Sequence, residues 1–107
     1  MPSDGYVVRF TRHAEKDLRG LQAWENDVLR HIRQLEDNPH TGHTLVGTLK
    51  GCRSLAFNLK GSGAFRSVYY VLSEDRVRIV FLIASHENVY REAERRVAAL
   101  RKAGGIA

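Results

Sequence analysis

At 107 residues the chain has room for one domain, residues 1–107, with a genuine core; 43% hydrophobic and 27% charged residues exclude a disordered chain. A single cysteine, Cys52, excludes an internal disulfide, and no run approaches the roughly 20 apolar residues of a membrane span. The net charge of +5 is moderate but uneven: no Asp or Glu occurs from Asn38 through Ser73, where Lys50, Arg53, Lys60, Arg66, His40 and His43 all fall. The acid-bearing N-terminus lacks the apolar segment of a signal peptide, so a cytoplasmic protein is expected.

In chain order, Gly5–Phe10 reads as a short strand, with Tyr6, Val8 and Phe10 on one side. Thr11 is a suitable N-cap for a helix through about Leu21, whose stripe is Ala14, Leu18 and Leu21. A second helix runs from about Trp24 to Asp37 on the stripe Trp24, Val28, Ile32 and Leu35. Asn38-Pro39 stops it, because proline pushes the preceding residue out of the α region. The short link between the two predicts an antiparallel helical hairpin laid over a sheet.

His40–Gly51 is polar and glycine-marked, the composition of a loop. Arg53–Leu59 alternates, with Leu55, Phe57 and Leu59 on one face and Ser54, Ala56 and Asn58 on the other, which predicts a strand buried on one side. Phe65–Leu72 and Val77–Ile83 are rich in aromatic and β-branched residues, and the polar turn Ser73–Arg76 joins them as a hairpin. The second of these strands is apolar from Ile79 to Ile83, so it needs cover on both faces and belongs inside the sheet. Ser85 is placed to cap a last helix from His86 to about Lys102, with Val89, Ala93, Val97 and Leu100 inward and Gly104-Gly105 as its stop. On this reading Glu92, Glu94, Arg91, Arg95 and Arg96 form a solvated face. The predicted fold is α+β: a small antiparallel sheet of about four strands, an N-terminal helical hairpin and a C-terminal helix, in the order β-α-α-β-β-β-α.

The long acid-free stretch favours a polyanionic partner, the alternative being neutralisation by acids elsewhere in space or by an acidic protein. Metal-independent cleavage of RNA needs a group to take the 2′-OH proton, a cation for the phosphorane and a donor for the leaving oxygen. His86 is the titratable candidate, and Tyr90, four residues on, would share its helical face. Arg66 offers a planar fork suited to a phosphate, unless it pairs with Glu74 or Asp75. Lys50, Arg53 and Lys60 are placed to hold an RNA backbone, with His40 and His43 as loop reserves. No His/Cys spacing fits a metal and no glycine loop fits a nucleotide, so no cofactor is expected.

The element order, together with RFTRHAEKDLRGL, LEDNP, LVGTLKGCRSL, FRSVYYV and HENVYREAERR, resembles the RelE/ParE superfamily of bacterial type II toxins across nearly the whole chain. The resemblance implies a small basic toxin wrapped and inhibited by a cognate antitoxin protein. In the RelE branch it implies an mRNA endonuclease acting in the ribosomal A site; in the ParE branch, a DNA gyrase inhibitor without nuclease chemistry. A relative that only binds its antitoxin is a further alternative. Arg66 falls where RelE-like nucleases place a phosphate-stabilising arginine, and Tyr90 matches their functional tyrosine. The chain departs from the nucleases at Ser54 and Ala56, where two strand lysines are expected, and at His86, where an arginine is expected.

Overall fold

The computed structural model describes residues 7–38, 41–72, 76–87 and 89–104. Gly5, Tyr6, Pro39, His40, Ser73, Glu74, Asp75 and Gly105, which figure in the expectations above, lie outside the described residues. The chain forms β1 (Val7–Phe10), α1 (Arg12–Gly20), α2 (Glu25–Ile32), α3 (Gln34–Asp37), β2 (His43–Thr44), β3 (Cys52–Leu59), β4 (Gly63–Leu72), β5 (Val77–Ser85) and α4 (Val89–Lys102). Single 3₁₀ turns occupy Gln22–Trp24 and Gly47–Leu49. The expected α+β architecture is present, as a five-stranded sheet in the order β1-β5-β4-β3-β2.

Two cores follow from the alternation of the strands. Leu55, Phe57 and Leu59 of β3 and Phe65 and Tyr69 of β4 face α1 and α2, meeting Ala14, Val28, Ile32 and Leu35. On the opposite face Cys52, Val68, Phe81 and Leu82 meet Val89, Ala93 and Val97 of α4. All three helical stripes read from the sequence therefore pack into these cores, Leu18, Leu21, Trp24 and Leu100 being only partly buried, and β5 is covered on both sides as its apolar run requires. Phe81 is skipped in the β4–β5 register, where Val68 pairs with Leu82 and Tyr69 with Val80. This bulge turns Phe81 and Leu82 to the same side.

Several boundaries differ from expectation, each for a physical reason. The expected loop contains β2, whose His43 and Thr44 pair with Ser54 and Arg53 and add a fifth strand at the sheet edge. The sheet is mixed, because β1 runs parallel to β5 in the register Val7↔Val77 to Phe10↔Val80. The second helix is broken at Arg33 and begins at Glu25 rather than Trp24, whose indole N–H donates to Lys60 O at 3.0 Å. Thr11 does cap α1, its Oγ1 accepting from Ala14 N at 3.1 Å. Ser85 does not cap α4: it pairs with Phe65 as the last residue of β5, and His86 N still donates to Ala64 O at 3.1 Å. The ladder holds Ser85 extended and its last bond reaches His86, so α4 starts at Val89 and His86 stands outside it. At the other end Gly104, at φ +78, takes the left-handed conformation that closes a helix.

The largest departure is Arg96. Instead of lying on a solvated face it is only 19% exposed, and it forks onto Asp17 of α1 through Nη1 at 2.6 Å and Nη2 at 3.2 Å. Its Nε donates to Glu92 at 2.9 Å and its Nη1 to Phe81 O at 3.0 Å. Asp17 Oδ2 also accepts from Ile83 N at 3.0 Å. Burial disfavours the charged guanidinium, but the hydrogen bonds and charges of Asp17 and Glu92 outweigh it and raise the Arg96 pKa.

Replacing Asp17 by Ala strands the Arg96 fork and the Ile83 N–H together, and a loss of about 2–3 kcal/mol is expected, seen as a lower urea midpoint. Asp17→Asn, which keeps an acceptor for Ile83, is expected to cost less. Burial, only partly offset by the charge of Arg101, raises the Cys52 thiol from 9.0 to about 11. The native form holds its proton longer than the unfolded chain, so this contribution to stability is full below about pH 9 and lost as pH climbs through about 11. At pH 8 iodoacetamide is expected to leave native Cys52 unmodified while labelling it in urea.

Candidate functional site

The face of the sheet that α4 only partly covers is built by the small residues of β3. Ser54, Ala56 and Asn58 share it, and in register they flank Val68, Arg66 and Ala64 of β4. On the other side of β4, Arg66 pairs with Ala84. With alanine on both neighbours, the long Arg66 side chain rises from a shallow floor. Val89, buried in the second core, anchors the first turn of α4 and sends Tyr90 back over that floor. The Arg66 guanidinium carbon lies 5.9 Å from the centroid of the Tyr90 ring, a cation–π distance. The Tyr90 hydroxyl donates to Ser54 Oγ at 3.3 Å. Tyr90 is nonetheless 39% exposed, so this is an open surface.

Among the described residues Arg66 has no carboxylate partner. Its sequence alternatives, Glu74 and Asp75, lie outside the described residues. Leu72, the last described residue before them, is six positions along the strand from Arg66, about 20 Å at the usual rise. A guanidinium with no carboxylate partner among the described residues, on an open face and braced by an aromatic ring, is equipped to receive a phosphate.

The other expected residues are distributed around this pair. His86 is exposed at the end of β5, beside Ala64 and two positions beyond Ala84. It follows the strand that carries Ala84, the neighbour of Arg66, and is not a helical partner of Tyr90. Lys60 is exposed in the turn between β3 and β4, and Lys50 is exposed at the entrance to β3, its carbonyl held by Arg101 Nη2 at 3.0 Å. Arg53 does not join them. It pairs with Tyr69, on the opposite face, and its Nη2 grips the carbonyl of Gly42. Gly42 is packed closely there: a Cβ would lie 2.9 Å from Ser54 O and against the Tyr69 hydroxyl. That clasp fixes the start of β2 and with it His43, which was held only as a reserve and which pairs with Ser54 on the site face. His40 lies outside the described residues.

Among the described residues no group of His, Cys, Asp or Glu converges as a metal site, and no helix is long and apolar enough to cross a membrane. A cleft of about 290 Å³ opens between α1 and α4 beside Phe81. Its Arg95 and Arg96 are already paired with Glu92 and Asp17, so it lacks the uncommitted cation that distinguishes Arg66.

A model of the family described as ParE-like toxin of type II bacterial toxin–antitoxin systems matches residues 8–94. Among solved structures, a mutant of the E. coli toxin RelE in the free state superposes with a TM-score of 0.68 at 27% identity, covering 87% of this chain and 98% of that one. The isolated E. coli RelE toxin gives a TM-score of 0.60 at 26% identity, over 86% and 98%. The Mycobacterium tuberculosis toxin–antitoxin complex RelBE2 shares the fold, with a TM-score of 0.64 at 22% identity over 77% and 92%. A comparison with curated proteins gave no match. By its matched model and its fold, the chain belongs to the ParE-like toxins of type II toxin–antitoxin systems, within the RelE/ParE superfamily.

Proposed function

We propose that this toxin is a metal-independent endoribonuclease that cleaves mRNA on the ribosome in the cytoplasm and is held inactive by a cognate antitoxin. The observation that carries the reading is the Arg66–Tyr90 pair: an arginine without a carboxylate partner among the described residues, set on an open face built from the acid-free stretch. In such an enzyme Arg66 neutralises charge gathering on the phosphorane oxygens as the adjacent 2′-oxygen attacks. Tyr90 braces Arg66 and directs its hydroxyl toward the reacting nucleotide, and His86 transfers a proton. Lys50 and Lys60, at the rims, attract the RNA backbone. The ribosome supplies the remaining positioning of the substrate, which a surface this shallow does not provide alone.

The antitoxin is read from surface chemistry and from the solved complexes named RelBE. A basic face with apolar residues beside it suits an acidic segment that orders on binding. A second reading rests on Ser54 and Ala56. Neither can carry charge, so β3 contributes no cation beside Arg66, and a toxin that blocks DNA gyrase by binding alone fits that floor as well.

Purified protein added to translation of a defined mRNA is expected to produce new ends within the A-site codon, mapped by primer extension, and none when ribosomes are omitted. Removing the Arg66 donors by Arg66→Ala is expected to lower cleavage about 10²–10³-fold. His86→Ala or Tyr90→Phe is expected to lower it within roughly 10²–10⁴-fold, with unchanged thermal melting. Intact mRNA together with inhibited supercoiling would replace the nuclease reading by the gyrase one.

A further inference from the structure

We infer that Asn58 is a specificity-determining residue of this site, reading an adenine next to the phosphate held by Arg66. The inference rests on the nuclease reading and names the group that selects where the RNA is cut. Three features carry it. First, the register places it. Ser54, Ala56 and Asn58 follow one another on one face of β3, and the β3–β4 ladder runs past all three without a shift. Arg66 pairs with Ala56, so Asn58 is its diagonal neighbour on β3, about 7–8 Å away and within reach of a long side chain. Lys60, exposed in the turn, follows two positions later. An RNA strand whose phosphates meet Arg66 and Lys60 carries the nucleotide between them over Asn58.

Second, this end of the face is open. α4 runs from Tyr90 toward the entrance of β3, where Arg101 reaches the carbonyl of Lys50 at 3.0 Å. Ser54, under the Tyr90 hydroxyl, is buried, whereas Ala56 and Asn58 are exposed. β2 pairs only with Arg53 and Ser54, so no strand of the described sheet lies beside Asn58 on its outer side. On its inner side the partner is Ala64. A Cβ at Gly61 or Gly63 in the adjoining turn would meet nothing within 4 Å beyond its chain neighbours. Small neighbours thus leave room for a base to lie against the Asn58 amide. Third, that amide has no structural task. Asparagine is depleted in strands, because its side chain packs poorly there and competes for backbone hydrogen bonds. Among the described residues the Asn58 side chain makes no hydrogen bond, so the fold gains nothing in return.

The chemistry of the amide names the ligand. A neutral amide gains less from a phosphate than the charged donors of Arg66 and Lys60 do. It carries a donor and an acceptor side by side, the complement of a base edge. Adenine presents its N6 amino donor beside a ring-nitrogen acceptor on both its Watson–Crick and its Hoogsteen edge. Asn58 Oδ1 accepts from N6 while Nδ2 donates to N7 or N1. Guanine offers two acceptors, O6 and N7, on its Hoogsteen edge, which leaves Oδ1 facing an acceptor. The pyrimidines lack N7 and present one matching edge instead of two. On this account the floor residues divide the work: Ala56 keeps the phosphate position clear for Arg66, and Asn58 selects the base beside it.

The test is primer-extension mapping of cleavage by the wild-type protein, Asn58→Ala and Asn58→Asp on programmed ribosomes, with each nucleotide of the A-site codon varied in turn among the four bases. Wild-type protein is expected to favour adenine at one position beside the cut, by about 5–150-fold over guanine. Asn58→Ala is expected to lose that preference while keeping its rate at the disfavoured codons and its thermal melting. Asn58→Asp keeps an acceptor but loses the donor, so its preference is expected to move toward cytosine, whose N4 amino group donates. Ratios between codons within one variant are insensitive to a general loss of rate from the added charge. An adenine preference that survives Asn58→Ala, or wild-type cleavage that does not favour adenine beside the cut, removes Asn58 from base reading and leaves the nuclease reading standing. Wild-type protein that never cuts overturns both.

Discussion

The structure depends on how the outer edge of β5 is finished. β1 covers that edge only as far as Val80, where Thr11 N makes the last backbone bond at 2.9 Å. Beyond it Phe81 and Ile83 present a carbonyl and an N–H with no strand to receive them. An uncovered edge of this kind loses hydrogen bonds and invites pairing with another chain. Asp17 and Arg96 close it, one bringing α1 and the other α4 to the same point. The ion pair between them is partly desolvated, and its donors and acceptors are nearly all used. It therefore ties together three elements, unlike surface pairs such as Arg30–Asp27.

From that fixed point the site follows. α4 cannot slide along the sheet while Arg96 is engaged, so Val89 and Tyr90 two turns earlier are set in place as well. A second tie, Arg101 to the carbonyls of Thr48 and Lys50, holds the far end of the helix to the turn before β3. Between the ties Tyr90 lies across Ser54 and meets Arg66. The candidate face thus owes its geometry to a helix anchored at its middle and its end. The strands supply a flat bed of small residues.

Much of this was legible in the chain, and the failures are instructive. Alternation in Arg53–Leu59 identified the buried face, and the same parity that buries Leu55 and Phe57 puts Arg53 with them; the pattern already held the reason Arg53 is not at the site. Thr11 as a cap and the three helical stripes follow local rules and were found. β2 was missed because two polar residues carry no period. The start of α4 was misplaced because Ser85 and His86 satisfy a capping rule locally, while the Phe65 and Ala64 partners that hold them extended are distant in sequence. Arg96 looked solvated because its partner Asp17 is separated from it by 79 positions. The meeting of Tyr90 with Arg66 and Ser54 likewise joins residues distant in the chain, which composition does not state.

The parallel pairing of β1 has a consequence for the order in which the candidate site is assembled. Val7 waits for Val77, the longest interval between paired strands in the described sheet, whereas β3, β4 and β5 pair with neighbours across short turns. Such distant pairings close late, because the chain between them must first be ordered. Tyr90 comes later still, from the helix whose anchor needs both β5 and α1. A chain still being synthesised can therefore assemble the meander and the helical hairpin while its Arg66 lacks the aromatic brace. The surface is completed only by α4, so the aromatic brace on Arg66 forms after the sheet that carries Arg66.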